Sequence, residues 1–148
     1  MILLVQRSKQ SKVTVDSKIV GEINAGLVVF VGFNTNDTLE DITYLAKKLV
    51  NLRIFDDENH IMNKSLLDVG GSVLSVSQFT LYADTSKGNR PSYIKSMKAL
   101  EAKRMYDLFN DELRKYNVNV ATGIFQADML VEINNDGPVT IILESRKS

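Results

Sequence analysis

Cysteine is absent from the 148 residues, histidine occurs once and proline twice. The first absence removes disulfides, thiol nucleophiles and thiolate metal sites together, and it suits a reducing compartment. The second leaves His60 as the sole imidazole, so any serine–histidine relay must run through the polar loop DENHIMN. A lone loop histidine reads first as a solvated side chain. An excess of one charge is missing too: 18 basic and 18 acidic residues give a formal net charge of zero, which advertises no broad nucleic-acid surface. No run approaches the roughly 20 apolar residues of a membrane span. The opening MILLVQRSKQ has no basic segment before its apolar run and no small-residue cleavage site after it. A cytoplasmic protein is expected. Asp56, Asp57 and Glu58 are adjacent, which splays carboxylates and lacks calcium-loop spacing. DVGGSVL precedes a strand, so it is neither a phosphate-binding loop nor a dinucleotide fingerprint. Neither metal nor cofactor is expected.

What is present suits one domain over residues 1–148, with 44% hydrophobic residues for its core. ILLVQR reads as a strand, KVTVDSKIVGEI as an extended segment broken near Asp16-Ser17, and GLVVFVGF as a strand buried on both faces. Asn36-Asp37 offers a helix cap with Glu40 in capping-box spacing, and Ile42, Leu45, Ala46 and Leu49 predict an amphipathic helix from Thr38 to about Leu52. FDDENHIMNKS reads as a polar loop and Gly70-Gly71 as a turn. A strand through SVLSVSQFTLYA precedes a turn-rich loop, DTSKGNRPS. Ala102, Met105, Tyr106, Phe109, Leu113 and Tyr116 form one helical stripe. Strands around DMLVEIN and VTIILES flank Asp136-Gly137, a hairpin-turn signal that Pro138 follows at once. The order predicts a mixed α+β sandwich with the helices covering one side of the sheet.

One irregularity falls in LSVSQFTLY. Leu74 and Val76 alternate with serines, then Phe79 and Leu81 continue in the opposite phase. A period-two strand cannot change face without a bulge, unless it ends at Ser77 and restarts.

VSQFTLYADTSKGNRPS (Val76–Ser92) and NNDGPVT (Asn134–Thr140) together resemble the two signature motifs of the D-aminoacyl-tRNA deacylases. The likeness covers almost the whole chain through VQR, GEINAGL, LRIFDDE followed by MN, and TGIFQADM. It implies mostly antiparallel sheets packed as a β-β-α sandwich with two main helices, in a homodimer with active sites at the subunit interface. It also implies hydrolysis of the ester joining a D-amino acid, or glycine mischarged on tRNA-Ala, to the 3′ end of tRNA. L-aminoacyl-tRNA is spared, and no cofactor is required.

By the same resemblance Ser77, Gln78, Phe79 and Thr80 line the ester pocket. Thr80 is either a nucleophile or a bystander to hydrolysis assisted by the terminal 2′-hydroxyl. Its motif holds no histidine or cysteine to take its proton, and an unactivated threonine is a poor nucleophile. This favours the assisted route, with main-chain N–H groups near Phe79 and Thr80 as the oxyanion hole. Gly137 and Pro138 match a motif held cis, which enters the partner's pocket and excludes L side chains. Phe125 and Met129 match the adenosine end, while Lys87 and Arg90 suit contacts to the tRNA backbone. Gln126 stands where the family usually carries glycine or alanine.

Overall fold

The apolar run GLVVFVG becomes strand β4 (Gly26–Gly32), buried along nearly its whole length, in the computed structural model, which describes residues 1–146. Before it come β1 (Ile2–Ser8), β2 (Ser11–Val15) and β3 (Lys18–Ile23). After it come helix α1 (Leu39–Asn51), the hairpin β5 (Phe55–Asp56) and β6 (Met62–Lys64), the one-turn helix α2 (Leu66–Val69) and β7 (Ser72–Ser77). A 3-10 turn (Phe79–Tyr82), α3 (Ala99–Arg114), β8 (Val120–Thr122), β9 (Leu130–Glu132) and β10 (Asn135–Glu144) follow.

The main sheet has the order β10-β1-β4-β7-β8, and β3-β2-β9 form a second sheet. Because side chains alternate along a strand, β4 feeds two cores. Leu27, Val29 and Val31 pack with Ile42, Leu45 and Leu49 of α1 and with Met105, Phe109 and Leu113 of α3. Val28 packs between the sheets with Val13, Ile23, Leu74 and Val76. The result is an α+β sandwich of small sheet, main sheet and helices. Each fully buried aliphatic side chain contributes about 1.5–3 kcal/mol, so the strand alternation and the helix stripes together specify this layering.

Pairing is antiparallel except between β4 and β7 and between β7 and β8, which run parallel. In register, Ser8 faces Gly26 and Ile2 faces Gly32 on one side of β4, while Ser72 faces Gly26 and Ser77 faces Val31 on the other. Ser8 and Ser77 therefore lie at opposite ends of the main sheet.

Several local expectations are revised. The strand drawn through SVLSVSQFTLYA stops at Ser77, and FTLY winds into the 3-10 turn. The change of apolar phase marks that ending, neither a bulge nor a renewed strand. Helix α1 is capped by Thr38 rather than Asp37; the Thr38 N–H donates to Asp41 Oδ2 at 2.7 Å. Asp37 instead accepts from the Asn34 N–H at 2.6 Å. The polar loop FDDENHIMNKS contains the β5–β6 hairpin, and α2, ended by Gly70 at φ +64, adds a third helix.

Gly26 adopts φ +142, and a Cβ built on it would lie 1.9 Å from the Ser72 carbonyl oxygen. Gly26→Ala should part β4 from β7 and cost about 3 kcal/mol or more. Urea unfolding measures this; a loss under roughly 1 kcal/mol would show that the contact is not a constraint.

Candidate active site

Strand β7 ends at the edge of a cavity of about 560 Å³. Ser77, Gln78 and Phe79 line one side, Met97, Ala99 and Ala102 the side at the start of α3, and Phe125, Gln126, Asp128 and Met129 the far end. The first N–H groups of a helical turn have no earlier turn to bond. Here the Gln78 N–H is taken by the Val31 carbonyl at 2.8 Å. Among the described residues, the Phe79 and Thr80 N–H groups meet no acceptor.

The surroundings fix this turn. Ser96 Oγ donates to the Phe79 carbonyl at 3.0 Å, and the Phe79 ring, 56% exposed, stands edge-on to Tyr93 with centroids 5.1 Å apart. Gln78 Nε2 donates to Thr80 Oγ1, and Thr80 does not line the cavity. Beneath, Tyr106 donates its hydroxyl to the Ser75 carbonyl at 2.7 Å and holds the Phe125 ring at 6.0 Å. Burial raises the Tyr106 phenol above its usual range, so it stays a donor. Beside the cavity, Asp84 and Ser92 exchange backbone bonds of 2.8 and 2.9 Å and close the loop bearing Lys87 and Arg90. Lys95 and Lys98 continue this basic stretch, and residues 85–100 contain no acidic side chain.

The second motif does not make the expected hairpin turn; it lies within β10. Gln6 pairs with Thr140 and Ser8 with Asn135, so Arg7 alone faces residues 136–139, which bulge outward. Asn135 Nδ2 ties the base of the bulge to the Arg7 and Val139 carbonyls at 3.0 and 3.1 Å. Arg7 donates to the Asp136 carbonyl at 3.3 Å and to the Ile54 carbonyl at 2.8 Å, with the Asp56 and Asp136 carboxylates each 3.5 Å away. Its side chain is only 11% exposed, so water screens these contacts less than at an open surface. Gly137 and Pro138, joined by a cis bond, project into solvent. A hollow of about 720 Å³ lies beside the bulge, lined in part by Arg7, Ser8, Asn24 and Asp136.

Bulge and cavity do not meet within one chain. Arg7 is opposite Leu27 and Ser77 opposite Val31, with β10 three strands from β7. At strand dimensions this places them roughly 20 Å apart. His60 occupies the β5–β6 turn and does not line the cavity. Among the described residues no group of three or more histidine or acidic side chains converges, and no helix is long and apolar enough to cross a membrane.

Sequence reasoning gave Arg7 and Asn135 no role. A signal existed, since an arginine in a strand as apolar as ILLVQRS must find partners when buried. Those partners, 47 and 129 residues away, could not be named.

The family model described as D-Tyr-tRNA(Tyr) deacylase matches residues 4–144. A "D-aminoacyl-tRNA deacylase" of Clostridium botulinum (strain 657 / Type Ba4) is 55% identical over 148 residues, covering 100% of this chain and 99% of that protein. One of Bacillus cytotoxicus is 53% identical over 146 residues, covering 99% and 100%. Among solved structures, "c-Myc DNA Unwinding Element Binding Protein" superposes with TM-score 0.93 at 38% identity over 99% of this chain and 100% of that one. A "probable eukaryotic D-amino acid tRNA deacylase" shares the fold at TM-score 0.84 and 18% identity, covering 97% and 98%.

Gly137 has φ +119, and a Cβ there would lie 2.9 Å from Arg7 Nη2. Gly137→Ala should cost about 1–2 kcal/mol, read by urea unfolding. Its cost should fall in an Arg7→Ala background, where the guanidinium it displaces is gone. Simple additivity would show that the two residues do not meet.

Proposed function

The chain belongs to the D-Tyr-tRNA(Tyr) deacylase family, and we propose that it hydrolyses the ester of D-aminoacyl-tRNA in the cavity beside Ser77–Thr80 while rejecting L-aminoacyl-tRNA. The observation that carries this reading is the pair of acceptor-free amides at Phe79 and Thr80. Water adds to the ester carbonyl carbon, and negative charge gathers on the carbonyl oxygen, where the two N–H groups donate. Each such donor contributes about 2.7–4 kcal/mol to a barrier of this kind. The bond to the ribose 3′-oxygen then breaks, and the proton from water passes to that oxygen, relayed by the neighbouring 2′-hydroxyl of the terminal adenosine. Free amino acid and tRNA are the products.

No side chain has to titrate in this scheme. The engagement of Thr80 Oγ1 by Gln78 supports the Thr80 hydroxyl as a bystander. An alcohol without a base beside it is a weak nucleophile. Phe125 and Met129 hold the adenosine end, and Lys87, Arg90, Lys95 and Lys98 suit phosphate contacts that position tRNA without reading its sequence.

A homodimer completes the site. The motifs lie too far apart to meet in one chain, the bulge projects freely, and Phe79, Ile94 and Leu100 near the cavity are 56, 86 and 90% exposed. Apolar surface of this kind marks an interface. The bulge of one copy enters the other's cavity, where main-chain atoms at Gly137 and Pro138 occupy the space an L side chain would need. A D side chain points elsewhere and glycine has none, so glycyl-tRNA passes the same filter. The enzyme acts in the cytoplasm, where translation supplies its substrates.

Purified protein should release D-tyrosine from D-Tyr-tRNA in metal-free buffer and leave L-Tyr-tRNA intact at equal concentration; no D-selective release would overturn the reading. Thr80→Ala should keep kcat within about tenfold of the parent. Single-turnover hydrolysis checks this, and a loss beyond about a thousandfold would make Thr80 the nucleophile.

A further inference from the structure

Among the described residues, five other than glycine adopt positive φ: Asp16, Ser17, His60, Asn117 and Gln126. Aspartate, asparagine and histidine reach this region more readily than most residues, and Asp16-Ser17 is the two-residue turn between β2 and β3. Gln126, at φ +66, differs in chemistry and in place. It is long and unbranched, and it lines the cavity. The Ala127 N–H donates to the Ile124 carbonyl at 3.2 Å, leaving Phe125 and Gln126 as the central residues of a tight turn. With positive φ at the second of them, glycine is the residue the backbone favours. Backbone conformation therefore gives no reason for glutamine at this position.

The side chain offers a reason. Among the described residues its carboxamide has no hydrogen-bond partner, and the residue is exposed at the cavity rim. Phe125, held against Tyr106, and Met129, packed on the inter-sheet core, present apolar surfaces beside it. The far end of the cavity thus combines apolar faces that suit a flat ring with one unspent amide. The only other carboxamide lining the cavity, Gln78, already donates to Thr80 Oγ1. Asp128 on the same rim offers only acceptors when ionised.

We infer that Gln126 binds the base edge of the substrate's terminal adenosine, its Oε1 accepting from the N6 amine and its Nε2 donating to N7. Glutamine matches adenine in this way because each presents one donor beside one acceptor. The inference rests on the proposed function, since it takes the occupant to be the 3′ end of aminoacyl-tRNA. Gln126 then anchors the base while the ester meets the Phe79 and Thr80 amides. Its effect falls on substrate affinity rather than on the bond-breaking step.

The test compares the full-length protein with Gln126→Gly on D-Tyr-tRNA ending in adenosine or in inosine, where an oxo group replaces the N6 amine. The parent should show KM about tenfold higher on the inosine end, with kcat within about threefold. Gln126→Gly should have a KM about tenfold higher on adenosine and be indifferent to the change of base. Its Tm should stay at or above the parent's, because glycine suits the local φ. If Gln126→Gly still discriminates adenosine from inosine as the parent does, the inference fails and the proposed activity stands. A non-hydrolysable 3′-amide-linked D-tyrosyl-adenosine separates the cases further. Gln126→Gly should bind it about tenfold more weakly, and equal binding would overturn the role given to Gln126. A parent protein that hydrolyses neither tRNA sinks the proposed function itself.

Discussion

Strand β4 can run beside β7 only because Gly26 brings its backbone against Ser72, where any side chain would collide. That contact starts the parallel ladder, and the ladder delivers Ser77 opposite Val31, where the 3-10 turn begins. On the other side of β4 the antiparallel ladder returns β1 in the reverse direction, so Arg7 ends near Gly26. The directions of the two pairings therefore send the two signature motifs to opposite ends of one sheet. A site that uses both needs two chains, and the proposed dimer follows from strand direction before any surface is considered.

At the Ser77 end the proposed working groups are main-chain amides, and the surrounding bonds explain how they stay available. The Gln78 N–H is bound to Val31, the Phe79 carbonyl to Ser96, and the Thr80 hydroxyl to Gln78. These bonds hold the turn on three sides while leaving the Phe79 and Thr80 N–H groups unused. A donor fixed before the charge develops needs no reorganisation during reaction, which is where electrostatic stabilisation is most effective. The lack of a histidine near the cavity is then compatible with ester hydrolysis, because the proposed substrate brings its own hydroxyl.

The layers were legible where burial imposes a period. GLVVFVG read as a doubly buried strand, and Ala102, Met105, Tyr106, Phe109 and Leu113 marked the inner face of α3, as the structure has them, whereas Tyr116 of the same stripe falls just past the helix end at Arg114. Local features without a period were not legible. FTLY alternates like a strand, yet it winds up, and Gly32 lies close beneath the turn, 3.0 Å from Gln78 O to a Cβ built there. Asp37 carries the right chemistry for a cap but is drawn to the Asn34 N–H, leaving the cap to Thr38. Asp136-Gly137 looks like a hairpin turn, and only the long-range pairing with β1 shows it to be a bulge within one strand. Resemblance assigned Ser77 to Thr80, Phe125, Met129, Gly137 and Pro138 to the proposed site without geometry, and it gave Arg7 and Asn135 no role.

Rejection of one enantiomer calls for an obstacle that does not move aside. A side chain can leave its rotamer for about 0.5–1.5 kcal/mol, so a side-chain barrier yields cheaply to a mis-shaped substrate. Residues 136–139 present main chain, fastened by one bond from Asn135 to the Val139 carbonyl and one from Arg7 to the Asp136 carbonyl, while Asn135 and Arg7 are themselves tied to the Arg7 and Ile54 carbonyls. At about 1 kcal/mol for the neutral bond and more for the one from the guanidinium, displacing the bulge costs more than a rotamer change does. On the proposed reading, the chirality filter is therefore as strong as its anchors, and Arg7 matters to discrimination without approaching the ester. The same reasoning explains a glycine at position 137: the chain must pass close to the guanidinium that holds it, and a Cβ would occupy that space.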